Sequence, residues 1–546
     1  MKSNKIRVIC LIVGLALIMT SVLSACGSGG AQTDSGSNAV QTDSSSSGDA
    51  QTASPASETA SADTASDSEE PASGLDPYNL VYYMYCTAPS DQATVVADAI
   101  NKIIQPKFNA TIEFVMITGG DWNDKAIPAL RAGEKIDVFW TPEWMGYTKN
   151  IANESLLALD DPDGPYGDLI NTYAPDTVTE LGDFIPANRV NGFLYGVATH
   201  KELCVPSGWI WNKTLADKYN IDITKYTNVA DLEPVLEEFK NTEEYANGAY
   251  PLLVTSMSAT MLPQFVQGFL NEMSPITMYI GEPGARDGEP VLWYDTPEMK
   301  AYIELIGRYN KAGYIHPDAN LTTFTNMDYL NAGNFLVSSD FVLKGGKVKA
   351  NELMGQSGNP ELVLDEFQNG PNVNVTTHAG GSMLGIPITS EDPARAMMFI
   401  NEMHQNPELL NLMAWGVPGV HYDLVDGFAE PKPKNGWSDS HGGMWTLGDQ
   451  FKQLLAVGED PDKYKQMQDL TDQAFAHESL GFRFDRGQYD AEYTAIYNII
   501  QTYERSFACG VNVESYDQFR AELDAAGLQK VFSAVKENYA AWKAEQ

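Results

Sequence analysis

The chain has 546 residues, with 35 lysines and arginines against 73 aspartates and glutamates, so its formal net charge is −38. This charge argues against a nucleic-acid-binding protein, which needs a basic surface to neutralise phosphates, and against electrostatic docking on anionic lipid. A hydrophobic fraction of 43% is ordinary for a globular protein with a sizeable core. At about 100 to 200 residues per domain, the length predicts two or more domains.

The first 25 residues have the pattern of an export signal. A basic start is followed by an apolar run over residues 8–23, which is short for a membrane span. The run ends in residues 23–26 (LSAC), which resemble a bacterial lipobox. We therefore expect a lipoprotein signal peptide over residues 1–25 and a lipidated Cys26 as the first mature residue. The alternative is an uncleaved anchor helix.

Residues 26–75 are predicted to form a disordered tether. They consist mainly of Ser, Thr, Ala, Gly, Gln and acidic residues, and so they bury too little apolar surface to offset the entropy of ordering. The tether would hold the folded region near the cell membrane, on its extracytoplasmic face, through the lipid anchor alone.

The folded region is poor in cysteine. It contains Cys86, Cys204 and Cys509, an odd number with no CxxC motif. This pattern does not support a disulfide framework. We expect three buried thiols, and the alternative of one disulfide between two of them stays open.

The first 65 residues of the folded region alternate between strands and helices. Apolar runs predict strands at residues 80–86, 111–117 and 136–140, and helical periodicity predicts helices at 95–104 and 123–132. Buried strands joined by helices predict a parallel or mostly parallel sheet.

Ligands of such sheets bind beyond the carboxyl ends of the strands. Three tryptophans and three acids follow the predicted strands, which makes this edge a candidate ligand site. A single tryptophan there is as typical of a packed core as of a ligand contact, but three at one edge favour a site. The candidates are Asp91, Asp121, Trp122, Trp140, Glu143 and Trp144.

A second series of elements follows. Strand-like runs at residues 208–212, 250–255 and 335–343 alternate with helical patterns at 232–239 and 297–309, which predicts a second α/β lobe. Beyond residue 392 the pattern is mainly helical, at 394–404, 407–415, 445–457, 491–507 and 516–542.

The ordered set of motifs resembles the extracellular solute-binding proteins of ABC importers, sugar-type family 1, in the lipoprotein subgroup with a C-terminal domain of unknown function. The lipobox and the tether are similar to that family. The motifs that carry the resemblance lie at residues 136–140 (IDVFW), 209–213 (WIWNK), 380–387 (GGSMLGIP), 415–422 (WGVPGVHY) and 481–485 (GFRFD).

The resemblance implies an α/β fold of the two-lobed, type II periplasmic-binding-protein kind with a helical C-terminal region. On that basis, lobe 1 comprises residues 76–200 and 384–422. Lobe 2 and the C-terminal helical module comprise residues 201–383 and 423–546. A hinge of crossing strands would let the lobes close on a ligand.

The resemblance implies roles for several site residues. Trp140 and Glu143 lie where sugar-binding relatives place a stacking aromatic and a polar contact. Glu202 matches an acidic cleft residue, and Trp445 resembles an aromatic residue from the C-terminal helices. Trp144 stands where a maltodextrin-binding relative has a basic residue, so the particular saccharide is not implied.

We therefore expect a binding protein for a neutral oligosaccharide that delivers it to the permease subunits of an ABC transporter. Neutral hydroxyl groups donate hydrogen bonds to carboxylates, which accept them without needing a counter-charge, so an acidic protein can bind a neutral sugar. Lys201 is the basic residue that we place near the site, and we interpret it as solvated. We expect a monomer without a cofactor or a bound metal ion.

Two other function classes remain open at this point. A secreted glycosidase would use a pair of carboxylates, which 73 acidic residues always allow. The chain has no GxSxG, HExxH, GxGxxG or GxxxxGK motif. An envelope lipoprotein that contacts other macromolecules is the third class.

Overall fold

The computed structural model describes residues 74–204, 206–257, 262–266, 274–280 and 288–546. The predicted signal peptide, Cys26 and nearly all of the tether lie outside the described residues. Within the described part of the chain, no helix has the length and apolar character needed to cross a membrane.

The elements are numbered here in chain order. The strands are β1 (Tyr78–Cys86), β2 (Ala110–Thr118), β3 (Val138–Trp140), β4 (Arg189–Val190), β5 (Phe193–Leu194), β6 (Val197–Ala198), β7 (Gly208–Asn212), β8 (Tyr250–Leu253), β9 (Ile276–Thr277), β10 (Val291–Leu292), β11 (Phe335–Ser338), β12 (Leu364–Gln368), β13 (Val373–Asn374), β14 (Met383–Gly385), β15 (Tyr422–Val425), β16 (Phe428–Pro431) and β17 (Phe475–Ala476). The helices are α1 (Ala93–Phe108), α2 (Ile127–Ala132), α3 (Tyr147–Ala152), α4 (Leu169–Tyr173), α5 (Pro175–Leu181), α6 (Phe184–Ala187), α7 (Lys213–Lys218), α8 (Glu233–Phe239), α9 (Glu243–Ala246), α10 (Pro297–Ala312), α11 (Asn326–Ala332), α12 (Val348–Ser357), α13 (Thr376–Ala379), α14 (Pro393–Gln405), α15 (Pro407–Trp415), α16 (Lys463–Asp472), α17 (Asp490–Ala508), α18 (Tyr516–Ala525) and α19 (Leu528–Glu545).

The first sheet has the strand order β2-β1-β3-β14-β6. β1 pairs in parallel with β2 and β3, and β14 runs antiparallel to both β3 and β6. Of these five strands only β14 opposes the common direction, so the predicted mostly parallel sheet is confirmed. Helix α1 connects β1 to β2 and packs its apolar stripe of Val96, Ile100 and Ile104 into the core.

The second sheet has the order β12-β7-β11-β8 and forms the centre of a separate core. All five residues of β7 are buried. Trp209 and Trp211 pack in one hydrophobic cluster and Ile210 in another, because successive side chains of a strand point to opposite faces of the sheet. The predicted second α/β lobe is confirmed.

The chain passes between the two cores at the positions where crossing strands are expected. The first core contains Leu203 and the second contains Trp209; on the return, Val375 belongs to the second core and Ala379 to the first. The crossing segments therefore border the carboxyl ends of β1 and β3, where the candidate site lies.

One boundary differs from the expected division, which placed residues 423–546 with lobe 2. Ala429, Trp437 and Leu447 are buried in the first core. The Trp437 indole donates to the Met413 carbonyl at 2.9 Å, which attaches this segment to α15. We propose that lobe 1 continues to about Ala456, which also packs against the first core.

The predicted helix at residues 445–457 is wrong. Two short 3₁₀ turns occupy the segment, Met444–Thr446 and Gln450–Lys452. Gly448 between them has φ +41°, and a Cβ there would lie 2.1 Å from the Met403 carbonyl oxygen, so close packing interrupts the helix. The expected thiols are confirmed, since Cys86, Cys204 and Cys509 are buried and free.

Candidate functional site

Aromatic side chains from four segments meet at the carboxyl ends of β1 and β3. We call Tyr85, Trp122, Trp140, Trp144 and Trp445 the aromatic cluster. Trp140 stacks on Tyr85 at a centroid distance of 4.4 Å and meets Trp122 and Trp144 edge to face at 5.2 and 5.4 Å. Trp445 lies 6.2 Å from Trp140. Because β1 and β3 are parallel neighbours, their carboxyl ends bring these residues together.

Burial separates the cluster into a base and an accessible part. Trp122 and Trp140 are 0% exposed, whereas Trp144 is 39% exposed and Trp445 is partly buried. The prediction that Trp122 and Trp140 contact a ligand directly does not fit this burial, because a buried ring has no surface to offer. The accessible indoles are those of Trp144 and Trp445.

The crossing segments fix the indoles of the cluster. Trp140 Nε1 donates to Ser382 Oγ at 3.0 Å, and Thr199 Oγ1 donates to the same hydroxyl at 3.1 Å. Trp144 Nε1 donates to the Gly381 carbonyl at 2.9 Å. Thr199 precedes the outgoing crossing and Ser382 follows the returning one, so these two indoles are hydrogen-bonded to the chain next to the segments that join the lobes.

The carboxylate of Glu143 is engaged with the C-terminal region. It forms an ion pair with the guanidinium of Arg483, which also donates to Asn188 Oδ1 at 2.6 Å and to the Ala187 carbonyl at 3.2 Å. The side chains of Glu143 and Arg483 are 8% and 4% exposed, and burial lowers the pKa of Arg483 to about 9. Glu143 was expected to contact a ligand, but in this structure its partner is Arg483.

Glu202 lies at the start of the outgoing crossing and is 4% exposed. Lys201 Nζ lies 3.8 Å from Glu202 Oε1, and Glu202 Oε2 has no hydrogen-bond partner among the described residues. The pair of Lys201 and Glu202 lies close to Gly381, because a Cβ built at Gly381 would be 3.8 Å from Lys201 Nζ. Gly381 is the residue whose carbonyl accepts from Trp144 Nε1. Glu202 Oε2 is therefore a buried acceptor without a hydrogen-bond partner among the described residues.

The interpretation of Lys201 as a solvated residue is wrong. Its side chain is 8% exposed, and Nζ donates to the Glu202 carbonyl at 3.2 Å. The buried His378 is close enough to respond to this charge, since burial and the Lys201 ammonium lower its pKa to about 3. A neutral imidazole and a buried ammonium therefore lie side by side at the crossing.

Asp91 and Asp121 lie at the same strand ends but outside the aromatic cluster. Asp91 is exposed and accepts from Gln92 Nε2 at 2.9 Å. Asp121 accepts from Lys125 Nζ at 3.0 Å, and hydrogen bonds from Lys125 and Thr118 together with the Lys125 charge lower its pKa. Both carboxylates are solvated rim groups in this structure.

One group of described side chains has the spacing of a metal site: Glu180, His200 and Asp449. The ammonium of Lys452 lies among them, 2.8 Å from Glu180 Oε2 and 3.3 Å from Asp449 Oδ2. It also donates to the His404 carbonyl at 2.8 Å. A side-chain cation thus occupies the position that a metal ion would take.

The comparisons with known proteins agree with this architecture. Residues 478–544, which include Arg483, match DUF3502, a domain of unknown function. A carbohydrate ABC transporter substrate-binding protein from Streptococcus pneumoniae serotype 4 is 24% identical over 480 residues, covering 87% of this chain and 92% of that protein.

The crystal structure of the N-glycan transport solute binding protein from Streptococcus pneumoniae superposes with a TM-score of 0.72 at 20% identity, covering 86% of this chain and 99% of that chain. This chain has the fold of a two-lobed solute-binding protein. The same relative in complex with Man5GlcNAc superposes with a TM-score of 0.67 at 20% identity, covering 86% and 99%. The fold class inferred from sequence and the resemblance to sugar-type solute-binding proteins are confirmed.

Asp340 is an acid that lies two residues after β11 of the second sheet. Its Oδ2 accepts from the backbone N–H of Thr255 at 2.7 Å and from Asn326. Burial raises the pKa of Asp340 to about 6. Sequence reasoning missed this residue because the predicted strand at residues 335–343 ran through it, whereas β11 ends at Ser338.

Proposed function

We propose that this chain is the substrate-binding protein of an ABC importer and that it captures an uncharged oligosaccharide between its lobes. The observation that carries the proposal is the pair of accessible indoles at the strand ends. Trp144 and Trp445 lie 6.3 Å apart with 36° between their ring planes, on the buried base of Trp140. The apolar C–H face of a sugar ring stacks on such an indole, and covering about 100 Å² contributes about 2.5 kcal/mol.

Polar recognition is assigned to Glu202 at the crossing. A buried carboxylate oxygen without a donor costs free energy, so a ligand hydroxyl that reaches Oε2 when the lobes open and then close would relieve that cost. Asp91 and Asp121 would contact more distant hydroxyls from the rim. Trp140 and Trp122 would act by holding Trp144 in place, and Glu143 by its ion pair with Arg483.

The comparisons support the choice of an oligosaccharide. The related protein that matches 87% of this chain is named as a carbohydrate ABC transporter substrate-binding protein, and the N-glycan transport relative was crystallised with Man5GlcNAc. We infer that the chain is not an enzyme, that its partners are permease subunits, and that it works as a monomer. We further infer that a lipid on Cys26 anchors it to the extracytoplasmic face of the cell membrane.

Thermal-shift screening of a neutral-sugar panel, followed by calorimetry of the hits, tests the proposal. We expect reversible 1:1 binding and intact ligand on chromatography after prolonged incubation. Cleaved ligand, with turnover abolished by a single carboxylate substitution, would instead establish a glycosidase. A complete lack of sugar binding, together with capture of a protein or polymer other than a permease, would establish an envelope interaction protein.

A further inference from the structure

A cavity of about 1000 Å³ lies between the first lobe and the C-terminal helices, and its lining includes Arg483 but no residue of the aromatic cluster. Helix α3 and the region of the β4–β5 hairpin form one wall, and residues 480–485 with α19 form the other. Its size is at the upper end of the range of about 300 to 1000 Å³ for small-molecule sites. We call it the C-terminal cavity; its lining includes Arg189, Tyr195, Phe482, Arg483, Asn538 and Trp542.

The C-terminal cavity has an aromatic wall. Trp542 packs on Phe482 and on Tyr539, each at a centroid distance of 5.7 Å, and both partners are buried. Trp542 itself is only partly buried, and Tyr195 in the opposite wall is also partly buried. The indole is thus held by a buried support while one part stays accessible, as Trp144 is in the aromatic cluster.

The charges of the lining select against anions. The guanidinium groups of Arg189 and Arg483 are already paired with Asp160 and Glu143, so an anion finds no uncommitted cation among the lining residues. The remaining charged lining residues are acceptors for hydroxyl groups: Glu154, Asp485, Glu537 and Glu545.

The cavity and the aromatic cluster are adjacent along one short piece of chain. Glu143 and Trp144 begin this piece, and α3 follows directly, with Thr148 and Ile151 in the cavity lining. At about 1.5 Å per helical residue, α3 spans on the order of 10 Å. The two sites are therefore close enough for one extended ligand to reach both.

We propose that the C-terminal cavity is a second carbohydrate-binding site that takes uncharged, hydroxyl-rich sugar units, with Trp542 as its stacking surface. The inference rests on the proposed function for the first site. It gives the domain of unknown function at residues 478–544 a binding role, because Phe482, Arg483, Asn538 and Trp542 all belong to it.

Calorimetric titration of the full mature chain with Man1GlcNAc and Man5GlcNAc tests this inference. Trp542→Ala removes the stacking surface, and Ala541→Trp fills the cavity from an exposed helix position that tolerates a larger side chain. Lys543→Ala is the matched control, since Lys543 is the next residue of α19 but pairs with Glu478 outside the lining.

We expect the wild type and Lys543→Ala to bind Man5GlcNAc at least about tenfold more tightly than Man1GlcNAc, and both cavity variants to lose that difference. A stoichiometry of one Man5GlcNAc per protein would show that a single oligosaccharide reaches both sites. A stoichiometry of two would show that a separate second molecule binds. Unchanged Man5GlcNAc affinity in both cavity variants, equal affinity of the wild type for both sugars, or displacement by trilysine would overturn the second site while leaving the first intact. No binding of either sugar by the wild type would overturn both proposals.

Discussion

Arg483 donates to the carboxylate of Glu143 across 340 positions of sequence, and the two side chains are only 4% and 8% exposed. Glu143 directly precedes Trp144, the most accessible indole of the aromatic cluster. The turn that carries this indole is thereby attached to the C-terminal domain. Ligand recognition and the C-terminal domain thus share one buried ion pair.

The first prediction concerns this pair. Arg483→Met leaves the Glu143 carboxylate buried without its partner, so we expect the free energy of unfolding to fall by about 3 to 5 kcal/mol. Adding Glu143→Gln to Arg483→Met removes the unpaired charge and should restore part of the loss. Urea denaturation of the two single variants and the double variant measures the coupling. Additive losses would show that the two side chains do not interact.

The second prediction concerns the pH dependence of stability. The pKa of Asp340 is raised to about 6 by burial, against about 3.9 in an unfolded chain, so its protonated form favours the folded state. Its contribution is present below pH 4 and is lost as pH rises through 6, at a cost of about 2 to 3 kcal/mol. Asp340→Asn should therefore lose stability less steeply than the wild type between pH 4 and 7 in urea titrations. Asp91→Asn, which changes an exposed carboxylate, is the control variant. An Asp340→Asn profile of stability against pH that is parallel to that of the wild type would refute the assignment.

The third prediction separates the base of the aromatic cluster from its accessible part. Trp122→Ala removes a fully buried indole and should cost about 3 to 5 kcal/mol of stability. Trp144→Ala should cost far less stability but weaken sugar binding about tenfold or more, because its ring is accessible. Melting curves and calorimetry on the same preparations compare the two effects. A Trp144→Ala variant with wild-type affinity would place the ligand elsewhere.

The fourth prediction concerns attachment to the membrane. Cys26→Ser removes the thiol that would carry the lipid and should move the protein from the membrane fraction to the soluble fraction. Cell fractionation with immunoblotting measures the distribution, with Cys86→Ser as the control because Cys86 is a buried thiol of the folded region. Retention of the Cys26→Ser variant on membranes would favour an uncleaved anchor helix.

Local sequence patterns identified the elements that surround the site. The apolar runs that became β1, β2 and β3 were recognisable because both faces of these strands are buried, and the position of Trp140 and Trp144 after β3 followed from strand polarity. The same reasoning could have identified Tyr85 as a site residue, since it lies at the carboxyl end of β1.

Long-range contacts were not predictable in this way. No local signal relates Arg483 to Glu143 or shows that Lys201 is buried, because each depends on how distant segments pack. The error at residues 445–457 has a similar cause, since the apolar pattern suggested a helix while Gly448 packs against the Met403 carbonyl. Tertiary packing overrode the local preference there.

Calorimetric titration of the wild type and of the Trp144→Ala/Trp445→Ala double variant with Man5GlcNAc tests oligosaccharide capture most directly. We expect saturable heat for the wild type and an affinity at least about a hundredfold lower for the double variant, with both proteins folded by circular dichroism. Equal affinity of the two proteins for the sugar would contradict binding at the aromatic cluster, and no saturable heat for the wild type would contradict the proposed capture of an uncharged oligosaccharide of this kind.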